Sequence, residues 1–220
     1  MKRRRVAGKR RNSGSESDSD DDNDGVQLIN NSHIVFLGEV NNKTFGQFRR
    51  ILLTYKNNSP LVIHIFSHGG DATLGLALYD IIQAVPYHTV SIIEGTANSA
   101  ATLIALACNE RYMTQHSTIM IHQLWCNLAG NVSDQRVELQ NTNRMMERYV
   151  SIYKKETNLS KMRINKELLT DQEMNLDEAI EHGFVIGLPD AKYNEPQKGI
   201  RRPVHANIQP PLSKIKRENI

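Results

Sequence analysis

The sequence has little cysteine, little tryptophan and no long apolar run. Two cysteines, Cys108 and Cys126, occur in 220 residues. They are too few for a disulfide framework and stand at no metal-ligand spacing, so no metal and no cofactor is expected. Cys108 lies inside an apolar stretch and reads as a small buried residue, and nothing beside Cys126 marks it as reactive. Such usage fits a reducing compartment. The most apolar run, AATLIALAC at 100–108, contains Thr102 and is about half of the roughly 18 residues that a membrane span needs. No membrane association is expected, and no internal repeat is visible.

What is present is unevenly spread. The net charge of +3 conceals a basic start (Lys2, Arg3, Arg4, Arg5, Lys9, Arg10, Arg11) followed by an acidic block (Glu16, Asp18, Asp20, Asp21, Asp22, Asp24) in a Ser/Gly/Asn context. A segment with so little to bury is expected to be disordered. Its basic half is either a solvated tail or a nucleic-acid contact or nuclear address, and elsewhere nucleic acid is not an expected partner. The acidic block argues against an organellar transit peptide, so a cytoplasmic protein is expected, with the nucleus open through the basic run. From Tyr193 onward Pro196, Pro203, Pro210 and Pro211 with scattered Lys and Arg mark a second tail. The expected organisation is a tail over 1–26, one domain over 27–192 and a tail over 193–220.

Inside that domain, short apolar runs alternate with helical periodicity. HIVFLG (33–38) suits a buried strand, with Asn42 capping a helix over 44–55. After the turn KNNSP (56–60), LVIHIF (61–66) is a second strand. SHGGDA (67–72) then leads into a helix in which Leu74, Ala77, Leu78, Ile81 and Ile82 recur up to Pro86. HTVSII (88–93) reads as a third strand, passing through a glycine turn into a small-residue helix, and STIMIH (117–122) as a fourth that delivers His122 at its end. This alternation predicts an α/β fold with a largely parallel sheet and right-handed crossovers. The segment 132–156 has neither proline nor glycine and is polar all round, which predicts a helix projecting toward another subunit. LDEAIEHG (176–183) is a short helix stopped by glycine.

A serine hydrolase brings together a hydroxyl, an imidazole, a group that orients the imidazole and N–H donors for an oxyanion. Ser99 follows GTAN where the chain turns into a helix, beside unpaired N–H groups and the positive dipole end. His122 ends a strand, where open parallel sheets gather their sites. Gly69-Gly70 sits at another strand-to-helix turn and allows close backbone approach. Taken singly, each has a plain alternative: a turn, a helix N-cap and a satisfied buried imidazole.

Taken together, SHGG (67–70), GTANSA (95–100) and MIHQ (120–123) resemble the SPGG, G-x-A-x-S and M-I-H-Q segments of ClpP peptidases. The thirty-residue step from Gly69 to Ser99 matches that family without a gap. HIVFLGEVNN (33–42) resembles its first strand and LDEAIEHGF (176–184) its closing segment, so the likeness covers residues 30–190. The resemblance implies a crotonase-like fold of repeated β-β-α and βαβ units with a projecting handle helix. It implies a serine endopeptidase in which Ser99 is nucleophile, His122 base and then acid, and the backbone N–H groups of Gly70 and Ala100 form the oxyanion hole. Asp171 in LLTDQEM is the implied third member, with Glu173 and Asp177 as alternatives. It also implies a homo-oligomeric double ring, a tetradecamer, whose handles interdigitate. The segment 124–130 would pair with substrate, making Leu124 and Trp125 candidate substrate contacts, with a subunit contact as the alternative for Trp125.

The chain departs from the family at several places. His68 replaces a usual proline and Phe66 an asparagine. Val62 and His64 stand where tyrosines often help to form the docking cleft for an AAA+ ATPase, so that partner is expected to dock differently if it docks at all. Three alternatives stay open: a processing peptidase that needs no ATPase, for example in viral protein maturation; a catalytically silent ring subunit; and an acyl-CoA crotonase, which would not need Ser99 and His122 together.

Overall fold

A computed structural model of the chain describes residues 25–56 and 59–193. The basic and acidic start, on which the expectation of a nuclear address fell, and the proline-containing end lie outside the described residues.

The strands are β1 (Gly25–Asn30), β2 (His33–Leu37), β3 (Leu61–Ser67), β4 (Thr89–Asn98), β5 (Glu110–Met113), β6 (Thr118–Met120) and β7 (Glu173–Met174). The helices are α1 (Asn42–Thr54), α2 (Ala72–Ala84), α3 (Ala100–Leu106), α4 (Val132–Glu156), α5 (Lys161–Glu167) and α6 (Leu176–Glu181). The sheet runs β1-β2-β3-β4-β6-β7, with β5 also on β4. Pairings β2–β3, β3–β4, β4–β5 and β4–β6 are parallel, and the outer pairs β1–β2 and β6–β7 antiparallel.

Alternation along the strands sets two faces. Ile34, Phe36, Leu61, Ile63, Ile65 and Ile93 point to the helical side and are fully buried there with Phe48, Leu78 and nearly all of α3. Val62, Val90 and Ile92 point the other way, under Tyr112 and Tyr193. The small residues of α3 are there for closeness. A Cβ added at Gly75 of α2 would stand 2.9 Å from the Ala100 Cβ and 2.9 Å from the Tyr149 hydroxyl, so α2, α3 and α4 meet at one point beside Ser99.

Several boundaries differ from the sequence reading. The cap of α1 is Asn41, not Asn42: its side chain accepts from the Thr44 N–H while its own N–H donates to Thr44 Oγ1. The third strand does not end at residue 93 in a glycine turn. It continues as β4 to Asn98, because partners step from Ile65–Ile93 to Ser67–Ala97, which leaves extra residues of β4 bulged around Gly95 at φ 95°. Below the bulge β4 pairs with β5, above it with β6. The fourth strand is shorter than expected, so His122 lies two residues beyond β6. α4 spans the expected residues but is not polar throughout. Tyr149, Val150 and Tyr153 are buried, the two phenols donating to the Ala72 carbonyl and meeting Thr102 Oγ1.

Cys108 is buried at the end of α3, and loss of solvent pushes its thiol up to about 12. Cys126 is exposed. Alkylation of native protein at pH 8 is therefore expected to spare Cys108 and to reach it only on unfolding, which peptide mapping by mass spectrometry checks.

Candidate active site

The loop after β3, the β4–α3 junction and the end of β6 converge. Ser99 has φ 53° and ψ −124°, and its N–H donates to the Met120 carbonyl at 2.8 Å, which ties it to β6. Thr102 holds the Ser99 carbonyl through both its N–H and its hydroxyl, at 3.1 and 2.6 Å. Among the described residues only Ser99 and Asp171 combine a side chain with positive φ. Such a conformation costs about 1–3 kcal/mol and persists only where the surroundings impose it. Although Ser99 occupies the cap position of α3, its side chain makes no capping hydrogen bond. The plain reading of this serine as an N-cap therefore fails, and its hydroxyl is left for other chemistry.

Gly69 and Gly70 take φ 100° and 143°. A Cβ on Gly69 would lie 2.8 Å from both the Asn98 carbonyl and the Ser99 Cβ, so this turn presses directly on the serine. The turn is fixed from its other side. The Val40 N–H donates to the Gly69 carbonyl at 2.7 Å, and the Asp71 N–H to the Val40 carbonyl at 2.8 Å, while the Gly70 N–H between them has no acceptor among the described residues. The Ala100 N–H opens α3 and is one of the donors that a helix start leaves unpaired.

Ser99, Gly70 and His122 line one cavity of about 550 Å³ together with Leu124 and Trp125. Among the described residues no hydrogen bond joins Ser99 to His122 or His122 to Asp171. Instead the Trp125 indole donates to His122 Nδ1 at 3.3 Å. An indole nitrogen is only a donor, so this contact requires Nδ1 to be unprotonated. A general base next to serine needs the opposite: a proton on Nδ1 facing the acid, and a lone pair on Nε2.

Asp171 is exposed, at φ 48°, in the loop between α5 and β7. Chain register brings that loop beside His122, since Met120 pairs with Glu173 and the Gln123 N–H donates to the Leu168 carbonyl at 3.1 Å. Glu173 is part of β7 itself, and Asp177 stands in the first turn of α6. Asp71, Glu138, Thr142 and Met145 also line the cavity, and sequence reading did not single them out. The signal was available: 138, 142, 145 and 149 follow helical spacing and share a face with the buried Tyr149. Among the described residues no group of His, Cys, Asp and Glu is arranged to hold a metal ion. No described helix is long and apolar enough to cross a membrane.

A family model described as Clp protease matches residues 17–190. The ATP-dependent Clp protease proteolytic subunit 2 of Treponema denticola is 26% identical over 177 residues, covering 78% of this chain and 88% of its own. Proteolytic subunit 1 from Leifsonia xyli is 30% identical over 158 residues, which is 69% of this chain and 80% of the relative. Among solved structures, a point mutant of ClpP1 from Listeria monocytogenes superposes with a TM-score of 0.66 at 26% identity, over 73% of this chain and 92% of that one. With the match running from before β1 to beyond α6 and taking in Ser99, His122 and the glycine turn, the chain belongs to the Clp protease family.

Proposed function

We propose that the protein is a serine endopeptidase. Ser99 attacks the peptide carbonyl, His122 takes the hydroxyl proton and returns it to the leaving amine, and Asp171 holds the imidazole. The oxyanion is received by the Gly70 and Ala100 N–H groups. The observation that carries the reading is the uncapped Ser99 hydroxyl, held in a strained junction on the same cavity wall as His122 and beside two unspent N–H donors. Of the three candidate acids Asp171 is preferred, because it alone lies in the turn that the β6–β7 register sets alongside residue 122. The test is a fluorophosphonate probe with mapping of the modified residue: label on Ser99 is expected, and intact protein that never reacts overturns the reading.

For His122 to act, the indole of Trp125 must leave Nδ1. Pairing of residues 124–130 with an extended peptide, or with another subunit, would move it. Trp125→Phe keeps an aromatic ring, though a smaller one, and removes the donor, and it is expected to raise the phosphonate labelling rate roughly threefold, the worth of one exposed hydrogen bond. A slower rate would show that the contact helps the imidazole rather than holding it back.

Self-assembly is part of the proposal. The first half of α4 exposes Val132, Val137 and Leu139 by 66%, 54% and 45%, a load for a partner helix to cover. By resemblance that assembly is a homo-oligomeric double ring enclosing the sites. The relatives are named as subunits of ATP-dependent proteases, which supports an ATPase partner. Here, however, Val62 is buried under Tyr112 and Tyr193, and His64 is hydrogen-bonded to His33 and Glu94. That favours a docking surface unlike the tyrosine-lined cleft, or a processing role without an ATPase. Whether an ATPase accelerates degradation of a folded substrate separates the two.

A further inference from the structure

We infer that the peptidase cleaves after cationic residues, lysine or arginine, because the wall beside Ser99 carries two carboxylates and an exposed indole and, among the described residues, no lysine or arginine. This inference rests on the serine-peptidase reading of the same cavity. With a substrate carbonyl over Ser99 and its oxygen on the Gly70 and Ala100 N–H groups, the side chain next to that carbonyl turns to the remaining wall. The N-terminus of α2 (Asp71, Thr73) and the inward stripe of α4 (Glu138, Thr142, Met145) build that wall. The two elements are fixed to each other, since the Tyr149 hydroxyl donates to the Ala72 carbonyl at 2.9 Å. Asp71 spends one oxygen on the Leu74 N–H at 2.9 Å, and neither it nor Glu138 takes part in a described ion pair.

No Lys or Arg is among the described residues lining the cavity, although α4 carries Arg136, Arg144 and Arg148 on its other faces. Trp125, 87% exposed, adds an indole face, the ring best suited to a guanidinium or ammonium. Met145 and the Thr142 methyl give the aliphatic stem of such a side chain something to lie on. A glutamate there would meet two like charges, and a leucine would leave both carboxylates beside apolar surface.

The experiment uses the assembled full-length protein and a set of peptidyl-aminocoumarins that differ only in the residue before the cleaved bond: Arg, Lys, Leu and Glu. The order Arg and Lys above Leu above Glu in kcat/KM is expected, with about tenfold between the first and second steps, the sum of weak solvent-exposed attractions. The ratio should shrink as sodium chloride is raised. Asp71→Asn keeps the capping oxygen of α2, and Glu138→Gln keeps the shape of a side chain that makes no hydrogen bond or ion pair among the described residues. Each is expected to lower the Arg/Leu ratio about threefold, and Glu138→Lys, which sets an ammonium against the remaining Asp71 carboxylate, to lower it about tenfold and to narrow the gap between Arg and Glu. Leu cleaved as well as Arg, or a ratio that ignores all three substitutions while phosphonate still labels Ser99, overturns the substrate class and leaves the peptidase. Wild-type protein that neither labels nor cleaves any of the four overturns both.

Discussion

Ser99→Ala is expected to lower kcat for short peptides by roughly 10⁴- to 10⁶-fold and to abolish fluorophosphonate labelling, while fold and assembly stay intact. The separation follows from what the side chain does in the structure. Its hydroxyl caps nothing, and the bonds that hold the junction come from backbone: its N–H to the Met120 carbonyl, and its own carbonyl to Thr102. Alanine meets the same φ of 53° with the same Cβ, so the strain is unchanged. Thermal unfolding and particle mass should therefore match wild type. His122→Ala should lose a similar factor, and the double variant should be no worse than either alone, because nucleophile and base act as one unit. Additive losses, or a Ser99→Ala protein that retains the wild-type rate, would mean that hydrolysis runs through another group.

The sequence made the parallel core, and the meeting of Ser99 and His122 on one cavity, legible for a physical reason. β3 and the first half of β4 are buried on both faces and β2 nearly so, which makes them near-continuous apolar runs, and α2 shows its periodicity because one side packs on α3. The places that escaped are those where local signals conflict with tertiary ones. GTAN looks like a turn by composition, yet it is strand, since a bulge absorbs the glycine and β6 arrives from elsewhere in the chain to pair with it. β7 is two residues long and exists only through that same sheet edge. α4 looked polar throughout because its buried stripe is made of tyrosines whose hydroxyls find partners at Ala72 and Thr102. In the site, residue types and spacing pointed to Ser99 and His122, which line one cavity. The cavity wall did not stand out, because Asp71 and Glu138 are ordinary exposed acids until α4 is laid across α2. The indole on His122 Nδ1 is equally invisible in a linear reading.

Gly70→Ala should cost about 10²- to 10³-fold in kcat with little change in KM, the price of one oxyanion donor, and also destabilise the fold by about 1–3 kcal/mol. The added Cβ would sit 2.4 Å from the Val40 carbonyl oxygen and 2.7 Å from the Glu39 Cγ, at a φ of 143° that side chains rarely take. Relief by a side-chain movement is closed, because the nearest atom is backbone and the loop is pinned on both sides of Gly70 by the Val40 bonds. The loop itself must shift, carrying the Gly70 N–H away from the carbonyl it would receive. Gly46, at an exposed position of α1, supplies the control. A Cβ there meets nothing within 4 Å, so Gly46→Ala is expected to stabilise by about 0.5–1 kcal/mol and leave kinetics alone. Combining the two should recover part of the denaturation midpoint lost to Gly70→Ala and none of the kcat. If the rate returned together with stability, the loss would have come from a loosened fold, and the Gly70 N–H would have no part in holding the oxyanion.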